Sequence, residues 1–441
     1  MRFDLSMKIS VIGLGFVGLS LASVLSSNGR NVCGIDIDKE KCKMINSGVP
    51  PFFEPGLRDA LRSGLKKKLM IGDFELIEDS DIIFVTVGTP QKDNGKINLS
   101  IIKNATKSIG KFLKDTKKKP LVFIKSTVVP GTTKDIILPI LEKTSGKKAG
   151  KDFGLFSNPE FLQESNAIKN TKEPHAVILG SEKTKFLLDA KRFLNKIHSN
   201  VDIITTNLQT AELIKYANNS FLATKISFIN QIANICQNIP DANVDDVARA
   251  IGLDPRIGKL FLNAGPGYGG SCLPKDMKAL INFAEEVGAK PLLLNAVEKI
   301  NHDQINNIIH LMKKNLGNIK DKKISILGTA FKPNTDDIRD SIAVELIKKL
   351  LKLRVKVSIH DPKAMKNTEK IFGNKIIYAK SINDAIQKSN CLVIMTQWKE
   401  YEKIDNKVIH HMKNKLVIDC RRILNKKKID GKYYAIGIGS L

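Results

Sequence analysis

The sequence predicts an α/β protein with two doubly wound, Rossmann-like domains joined by a long central helix and a helical middle domain. Three observations lead to this fold class. A glycine-rich turn, Gly13-x-Gly15-x-x-Gly18, follows a short apolar strand and opens a helical pattern. A second strand, loop, helix and strand pattern begins near residue 323. Between them, a helical pattern runs from about residue 210 to 239, well beyond the average helix length. Alternating strands and helices of this kind build parallel sheets.

Length and composition favour a large protein without covalent cross-links. The 441 residues are enough for two or three domains, each with its own core. No apolar run reaches the ~20 residues that span a bilayer, and the first residues lack the apolar core of a signal peptide. Six cysteines without a C-x-x-C pair indicate a reducing compartment and no zinc framework. We therefore expect a cytoplasmic protein without a metal site.

The formal net charge of +26 admits three interpretations. Dense lysine is typical of nucleic-acid binders, a positive field speeds the approach of polyanionic substrates, and some proteomes are simply rich in lysine. The lysines lie in short runs along the whole chain and are not interleaved with aromatic residues. This pattern favours the second and third interpretations over direct nucleic-acid binding.

The glycine turn near the N-terminus has the full context of a dinucleotide site. The strand KISVIG leads into the turn, a helical stretch follows, and Asp36 closes the next strand about 20 residues later. Free amides at the start of the helix attract a pyrophosphate. Asp36 would accept hydrogen bonds from the adenosine ribose and repel a 2′-phosphate. The stretch therefore predicts NAD rather than NADP as the cofactor.

Two further apolar strands end near hydroxyl side chains. IIFVTV ends just before Thr89, and LVFIKST ends at Thr127. Helical stretches follow at 101–114 and 132–144. Ligands of a doubly wound sheet gather at the carboxyl ends of its strands. Threonine is common at strand ends, so position rather than residue type makes these two residues candidates.

Four polar residues lie in largely apolar surroundings. Glu160 and Glu164 are four residues apart, so their carboxylates would share a face if that segment is helical. Such pairs are usually solvated, but the preceding Asn-Pro favours partial burial. Lys215 and Asn219 share a face of the long helix, where a lysine either reaches solvent or serves a site. A helix of this length must bury one side, and we expect it to connect domains and to form a dimer interface.

The stretch Gly265–Asp276, GPGYGGSCLPKD, holds four glycines and two prolines around Cys272. Glycine-rich backbone permits close approach to a ligand. Because a helical pattern follows, the helix dipole and Lys275 would favour the thiolate, the nucleophilic form of the cysteine. An isolated intracellular cysteine is usually a small buried residue, but the glycine loop favours a functional one. Asp276 would then be its proton partner.

The C-terminal part repeats strand, loop, helix and strand, and Asp361 closes the second strand. Its loop, GTAFKPNTDD, lacks the glycine fingerprint, so this domain should bind a different nucleotide or none. CLVIMTQW and KLVIDC continue the sheet. Before it, residues 291–316 have a helical pattern, and Arg256 and Lys259 are candidate anion contacts.

The motifs GLGFVG, VGTP, KSTVVPGTT, NPEFLQES, AELIKYANNSFLATKISFIN, GPGYGGSCLPKD and FKPNTDDIRDS, in this order, resemble those of the UDP-glucose/GDP-mannose dehydrogenase family over essentially the whole chain. The resemblance implies an NAD-binding Rossmann domain at 1–205, a helical dimerisation domain with the cysteine loop at 206–316, and a nucleotide-sugar-binding domain at 317–441. It also implies a homodimeric NAD-dependent dehydrogenase. Such an enzyme oxidises the primary alcohol of the sugar to a carboxylate in two steps, with two NAD per sugar and no metal.

The resemblance further implies roles for individual residues. Cys272 captures the aldehyde as a thiohemiacetal, which the second oxidation converts to a thioester. Lys215 and Asn219 stabilise oxyanions, and Asp276 and Thr127 hold water and relay protons. Glu164 assists thioester hydrolysis, and Glu160 supports that network. The expected cofactor-binding residues are Gly13, Gly15, Phe16, Val17, Gly18, Asp36, Lys41, Thr89, Thr127, Glu164, Lys275 and Arg339. The expected substrate-binding residues are Glu160, Phe161, Leu162, Lys215, Asn219, Arg256 from the partner subunit, Phe261, Leu262, Gly269, Cys272, Phe331 and Lys332.

Within the family, the motifs favour UDP-glucose as the substrate. The serine before Cys272 and the lysine before Asp276 resemble the UDP-glucose and GDP-mannose branches, whereas N-acetylhexosamine branches usually carry a histidine before the cysteine. GYGG, FKPNTDDIR and MTQW resemble the UDP-glucose branch. PEFLQESNAIK, in which Gln163 replaces a common arginine, leans towards the GDP-mannose pattern, and Leu273, where phenylalanine is common, is also seen in that branch. GDP-mannose or another hexose nucleotide is therefore the alternative substrate. A sugar-nucleotide-binding protein without turnover is the alternative from a different class.

Overall fold

The computed structural model describes residues 6–92 and 94–439. The chain divides into two compact units of nearly equal size, with the division between residues 218 and 219. Each unit is built around one β-sheet. The division falls inside a long helix, at the position where the sequence pattern predicts a helical connection.

The first unit carries a mainly parallel sheet. Its strands are β1 (Lys8–Ile12), β2 (Asn31–Ile35), β3 (Leu69–Gly72), β4 (Ile82–Val85), β5 (Leu121–Ile124), β6 (Gly154–Ser157), β7 (Val177–Gly180) and β8 (Ile203–Thr206). Its helices are α1 (Phe16–Ser27), α2 (Lys39–Asn46), α3 (Leu57–Lys67), α4 (Ser100–Asp115), α5 (Leu138–Ser145), α6 (Ala167–Lys172) and α7 (Leu187–Ile197). The strand order is β3-β2-β1-β4-β5-β6-β7-β8. Neighbouring strands are parallel except for β6 and β7. The first six strands thus have the order of dinucleotide-binding folds.

Strands β4 and β5 at the centre of this sheet consist of apolar residues alone, as expected where helices cover both faces of a sheet. Phe84 of β4 lies opposite Phe123 of β5, which lies opposite Phe156 of β6. The ring centroids are 5.1 and 5.2 Å apart, and the rings are stacked. These contacts join three neighbouring strands whose carboxyl ends carry several of the candidate site residues.

The helix predicted at 132–144 begins irregularly. A π-helical turn, Thr132–Ile137, precedes α5. The Glu212 carboxylate accepts hydrogen bonds from the Gly131 and Thr133 amides at 2.7 and 2.8 Å, which fixes the start of this turn. Burial raises the pKa of Glu212 to about 7, against the opposing effect of these hydrogen bonds. The segment that follows Thr127 is therefore anchored by a buried carboxyl group.

The long helix α8 (Leu208–Cys236) is confirmed and crosses the division between the units. It is followed by α9 (Val244–Gly252), α10 (Leu273–Glu286) and α11 (Leu292–Leu316). A small apolar cluster joins α8, α10 and α11 to the loop that contains Cys272; its buried members are Ala223, Tyr268, Met277 and Val297. The cysteine loop is thus held by three helices.

The second unit contains a fully parallel sheet in the order β11-β10-β9-β12-β13-β14. Its strands are β9 (Lys323–Leu327), β10 (Lys356–His360), β11 (Ile377–Tyr378), β12 (Cys391–Ile394), β13 (Leu416–Asp419) and β14 (Lys432–Ala435). The helices between them are α12 (Ile342–Lys352), α13 (Met365–Phe372), α14 (Ile382–Ile386) and α15 (Asn406–Ile409). The predicted second Rossmann-like domain is confirmed, and with it the fold class.

Within residues 6–92 and 94–439, none of the helices is long and apolar enough to cross a bilayer. Across the same part of the chain, no group of three or more His, Cys, Asp or Glu side chains is arranged to hold a metal ion. The domain boundaries near residues 205 and 316 stay predictions.

Candidate active site

The three glycines of the turn, Gly13, Gly15 and Gly18, have different structural roles. Gly13 has a φ of +95°, and a Cβ atom there would lie 2.8 Å from the Val87 backbone. A Cβ on Gly18 would lie 1.9 Å from the Gly13 carbonyl oxygen, so this glycine permits helix and strand to pack closely. Gly15 is exposed, and nothing lies within 4 Å of a Cβ built on it. The open space at Gly15, beside the free amides of α1, fits a pyrophosphate group.

Asp36 directly follows β2 and lies next to this turn. Its carboxylate accepts hydrogen bonds from the Leu14 amide at 2.8 Å, the Asp38 amide at 3.0 Å and the Lys41 ammonium at 3.0 Å. Burial alone would raise the pKa of Asp36, but these hydrogen bonds outweigh it and hold the pKa below its ordinary value. Asp36 is therefore an anion beside the glycine turn, suited to accept from ribose hydroxyls. Phe16, in the first turn of α1, packs its ring 5.0 Å from that of Phe52.

The difference between Gly15 and Gly18 gives a matched pair of predictions. Gly15→Val should leave folding intact because the new side chain meets open space, but it should weaken NAD binding at least about tenfold by filling the pyrophosphate position. Gly18→Ala should lower the unfolding temperature because of the 1.9 Å approach to the Gly13 carbonyl oxygen. Calorimetric titration with NAD and thermal unfolding of both variants test this. Unchanged NAD affinity in Gly15→Val would contradict the assignment.

The two candidate threonines of the first unit lie together at the carboxyl ends of β4 and β5. The Thr89 hydroxyl donates to the Thr127 carbonyl oxygen at 2.7 Å. Ser126 donates to the Val87 carbonyl oxygen at 2.7 Å and ties the same two loops. Thr89 is buried and Thr127 is partly buried. The structure thus joins the two loops that sequence position alone selects.

A buried ion pair forms around Glu160. Lys215, only 3% exposed, places its Nζ 3.3 Å from Glu160 Oε1, and Glu160 is 9% exposed. The ammonium also lies 5.5 Å from the centre of the Phe161 ring. The second carboxylate oxygen of Glu160 accepts a hydrogen bond from the Leu162 amide. Lys215 therefore does not reach outward to solvent but is held inside the first unit.

Glu160 and Glu164 do not share a helical face, because the segment that contains them is not helical. Residues 158–166 form an irregular segment, and helix α6 begins only at Ala167. The physical reason is a set of competing side-chain hydrogen bonds. Glu54 accepts from the Ser165 and Ala167 amides, both at 2.8 Å. Both Glu160 and Glu164 are nevertheless buried, each 9% exposed, as the preceding Asn-Pro suggested.

Residues that the sequence analysis did not select complete this region. Lys125, which follows β5, donates to Asn158 Oδ1 at 3.0 Å and lines a cavity of about 40 Å³ together with Glu160, Phe161 and His198. Burial lowers the pKa of Lys125 to about 8, and it lowers the pKa of His198 to about 4. Lys125 is the lysine of the KSTVVPGTT motif, but only the tertiary structure shows that it is enclosed.

The shifted pKa of Lys125 predicts a pH dependence of stability. Its folded pKa of about 8 lies below the ordinary value of 10.5, so between these values the unfolded chain holds more protons than the folded one. Stability from this group therefore increases as the pH rises from about 8 to 10.5. We expect Lys125→Met to lack this increase relative to the unchanged chain. Chemical denaturation at pH 8 and pH 10 measures the difference, and equal pH dependence of both proteins would contradict the assignment.

Cys272 precedes α10 immediately and is exposed, whereas the other five cysteines of the chain are buried. One turn into the helix, the buried Asp276 accepts from Asn219 Nδ2 at 2.6 Å and pairs with Lys275 at 2.5 Å. Asn219 lies one turn after Lys215 in α8. The structure thus brings together three of the predicted residues, Asn219, Lys275 and Asp276, beside the start of the helix that carries the cysteine.

The cysteine loop packs on the loop FKPNTDDIRD of the second sheet. The Gly270 amide donates to the Arg339 carbonyl oxygen at 3.0 Å, and a Cβ on Gly270 would lie 2.7 Å from the Phe331 ring. A Cβ on Gly269 would lie 2.4 Å from the Asp340 carbonyl oxygen. The glycines therefore permit the two loops to pack against each other, in addition to the close approach of a ligand that the sequence predicts. Lys332 lies with its ammonium 5.5 Å from the Phe331 ring.

A second residue that the sequence analysis missed is Arg421, which follows β13. Its Nε donates to the Met395 carbonyl oxygen at 2.8 Å, and it lines a small cavity at the ends of the strands with Pro266 and Phe331. Burial lowers its pKa to about 10, so the guanidinium remains charged at neutral pH. The carboxyl end of the second sheet thus presents a cation next to the cysteine loop.

The remaining predicted substrate residues lie in the segment before the cysteine loop. Arg256 is exposed and pairs with Asp254 at 2.6 Å, so its guanidinium lies at the surface of the second unit. Phe261 is partly buried and has a φ of +64°. Leu262 is buried in the core. Among the described residues, the Arg256 guanidinium donates hydrogen bonds to Asp254 alone. Arg339 is likewise exposed, and its Nε and Nη2 atoms both donate hydrogen bonds to the Asp337 carboxylate.

Comparison with known proteins decides the family. The models of the NAD binding domain, the central domain and the UDP binding domain of the UDP-glucose/GDP-mannose dehydrogenase family match residues 7–202, 209–303 and 325–426. UDP-glucose 6-dehydrogenase AglM of Haloferax volcanii is 38% identical over 426 residues, which cover 96% of this chain and 98% of that protein. The chain belongs to the UDP-glucose/GDP-mannose dehydrogenase family. The resemblance noted in the sequence is confirmed.

Solved structures of related dehydrogenases agree with this family. A UDP-glucose dehydrogenase from the hyperthermophilic archaeon Pyrobaculum islandicum is 32% identical, with a TM-score of 0.92 and 99% coverage of both chains. A UDP-D-ManNAc dehydrogenase from Pyrococcus horikoshii is 26% identical, with a TM-score of 0.86, and covers 99% of this chain and 100% of that one. Relatives with more than one sugar therefore share the fold.

As a member of the UDP-glucose/GDP-mannose dehydrogenase family, the chain is an NAD-dependent nucleotide-sugar dehydrogenase. The predicted NAD cofactor is confirmed, and the open turn at Gly15 with the anionic Asp36 fits it. A UDP binding domain is present in the second unit, where it includes Phe331 and Arg421. The roles of individual residues in this dehydrogenase stay predictions.

Proposed function

We propose that this dehydrogenase oxidises the C6 alcohol of UDP-glucose to the carboxylate of UDP-glucuronate through covalent intermediates on Cys272. The observation that carries the proposal is the position of this residue. Of six cysteines, Cys272 alone is exposed, and it lies at the start of α10. A helix start favours the thiolate, and a thiolate adds readily to an aldehyde.

The proposed chemistry at Cys272 has three parts after the first oxidation. The thiolate adds to the carbonyl carbon of the aldehyde, and the carbonyl oxygen takes up a proton to give a thiohemiacetal. After the second oxidation the same carbon is a thioester. A water oxygen then adds to it, the C–S bond breaks, and the sulfur leaves as thiolate while the carboxylate forms. NAD, held at the glycine turn and Asp36, would supply the hydride acceptor for each oxidation. In the overall balance one alcohol, two NAD and one water give one carboxylate, two NADH and three protons.

The local surroundings of several polar residues, each within its own unit, support the proposed roles. Lys215 is a buried ammonium, and Asn219, one turn further along α8, presents an amide fixed by Asp276 at 2.6 Å. Pre-oriented donors of this kind stabilise a developing oxyanion. Asp276 and Thr127 would hold water and relay protons. The buried Glu164 would assist thioester hydrolysis, and Glu160 holds Lys215 in place.

UDP-glucose is the proposed substrate for two reasons. Relatives at 38% identity over nearly the whole chain carry the name UDP-glucose 6-dehydrogenase. The serine before Cys272 and the lysine before Asp276 also agree with that branch. The charged Arg421 at the carboxyl end of the second sheet offers a contact for the diphosphate. GDP-mannose is the second candidate because Gln163 and Leu273 resemble its branch.

The substrate proposal is tested by comparing initial rates with UDP-glucose, GDP-mannose and UDP-N-acetylmannosamine at saturating NAD. We expect kcat/KM for UDP-glucose to exceed the other two by at least about 100-fold, because a site built to pair polar groups rejects a ligand that leaves them unpaired. A higher kcat/KM for GDP-mannose would move the substrate assignment to that branch. Absence of NADH formation with all three would contradict the proposed function.

We further propose that the enzyme is a homodimer formed through α8. Phe221, Phe228 and Ile235 recur at intervals of seven residues and therefore lie along one side of this helix. They are 65%, 51% and 48% exposed. A regular stripe of large exposed apolar side chains on a long helix is typical of a subunit interface. A second copy of the chain would cover it and, by resemblance, contribute Arg256.

The dimer proposal predicts that Phe221→Glu with Phe228→Glu converts the enzyme to monomers, because both carboxylates would be buried without partners. Analytical ultracentrifugation measures the mass. A matched control replaces an exposed apolar residue away from the stripe, Leu188→Glu, which is 65% exposed before replacement and should leave the mass unchanged. A monomeric parent protein, or a dimeric double variant, would contradict the proposed interface.

A further inference from the structure

Lys125 is a cation inside the first unit, and the proposed chemistry gives this lysine no role. Its ammonium donates to Asn158 Oδ1 at 3.0 Å and lies 3.4 Å from the Asn158 carbonyl oxygen. Asn158 is 1% exposed, and its amide nitrogen donates to the Ile178 carbonyl oxygen at 2.7 Å. That hydrogen bond orients the amide so that its oxygen points to Lys125. The Lys125 ammonium is therefore held in place by the neutral side chain of Asn158 and not by an ion pair.

The Lys125 charge acts on the ion pair of Glu160 and Lys215. Both residues interact electrostatically with Lys125, and Glu160 and Lys215 lie 3.3 Å apart. Glu160 and Lys125 line the same cavity. His198, which also lines it, is neutral near pH 7 because burial lowers its pKa to about 4. One carboxylate thus lies among two ammonium groups, and the three charges sum to one positive charge when Lys125 is protonated.

The distribution of this charge matters for the reaction. At a separation of 3.3 Å, Glu160 alone would largely neutralise Lys215, and a neutral pair is a weak stabiliser of a developing oxyanion. A second cation attracts the same carboxylate and repels Lys215. Lys215 therefore keeps a net positive charge, and in the proposed function its ammonium faces the reacting oxygen. Inside a protein such charge effects are larger than in water.

We propose that Lys125 is a positioning residue for both oxidations, which acts through Glu160 to keep positive charge available on Lys215. The inference rests on the proposed function, in which Lys215 stabilises the oxyanion. It assigns to the lysine of the KSTVVPGTT motif a role separate from that of Thr127, two residues later. Lys125 acts on Glu160 through its positive charge, so the charge of the side chain is required and its shape is not.

The test compares Lys125→Met, Lys125→Arg and the unchanged enzyme at pH 7, with UDP-glucose and NAD varied in turn. We expect Lys125→Met to lower kcat at least about tenfold while both KM values stay within about threefold. Lys125→Arg keeps the charge and should recover most of kcat. Lys323→Met is the matched control, since Lys323 is also partly buried. It is the first residue of β9 in the other unit, and its ammonium lies 2.8 Å from the Gln387 carbonyl oxygen. The control should retain kcat.

Two results overturn the inference alone. The first is an unchanged kcat in Lys125→Met, provided that Lys215→Met is inactive, which separates Lys125 from the proposed oxyanion site. The second is a Lys125→Arg variant as impaired as Lys125→Met, which would assign the loss to shape. A Lys215→Met variant with full activity would instead contradict the proposed function, and the inference with it. If another nucleotide sugar is oxidised in place of UDP-glucose, the same comparison is made with that sugar.

Discussion

Replacing Cys272 by alanine is expected to abolish formation of the sugar carboxylate. The proposed second oxidation requires a covalent bond between this sulfur and the sugar carbon, and no other cysteine of the chain is exposed. Loss of a nucleophile that acts with its supporting groups typically lowers kcat by about 10⁴-fold or more. NADH formation with saturating UDP-glucose measures the loss, and chromatography of the nucleotide sugars identifies the product.

The matched control for this variant is Cys42→Ala. Cys42 is buried on α2, and its thiol lies 3.6 Å from the Asp36 carbonyl oxygen; it belongs to the first unit, whereas the cysteine loop belongs to the second. It should keep carboxylate formation. Alkylation of the native enzyme should modify Cys272 first, as peptide mass spectrometry can measure. Complete oxidation by Cys272→Ala would contradict the thioester mechanism, whereas release of aldehyde alone would agree with it.

Replacing Lys215 by methionine is expected to lower kcat by about 10²- to 10³-fold, the loss typical for one preorganised oxyanion donor. The change also removes the Glu160 partner at 3.3 Å and leaves Lys125 as the remaining cation that interacts with this carboxylate. Removal of one partner of a buried ion pair is destabilising. The effect on catalysis must therefore be separated from the effect on folding. Steady-state kinetics and thermal unfolding on the same preparation make this separation.

The double variant Lys215→Met with Glu160→Gln serves as the control for that loss of stability. Glutamine removes the buried charge, so the unfolding temperature should recover in part while kcat stays low. Recovery of kcat together with stability would mean that Lys215 acts only through folding. That result would remove it from the proposed oxyanion site.

Features that depend on local sequence could be predicted well. The turn Gly13–Gly18, the acidic residue at the end of β2 and the helix that begins after Cys272 are each encoded within a few residues. The long helix α8 follows from one continuous helical pattern. Its observed bounds, Leu208–Cys236, differ by only a few residues from the predicted 210–239. Both sheets follow from the alternation of apolar strands with helices.

Features that depend on distant partners were missed. The segment after β6 is irregular because Glu54, over 100 residues earlier in the chain, accepts from its amides, and no local pattern reveals that partner. Lys125 and Arg421 follow strand ends, where polar residues are common. What distinguishes them is enclosure by elements that are remote in the sequence. Their selection therefore needs the tertiary structure.

The proposed mechanism is tested by the number of NADH molecules formed when a limiting, known amount of UDP-glucose is fully consumed. Conversion of a primary alcohol to a carboxylate removes two hydrides, so we expect two NADH per UDP-glucose and UDP-glucuronate as the sole nucleotide-sugar product. One NADH per sugar, with aldehyde released, would contradict the central claim that Cys272 retains the intermediate for a second oxidation.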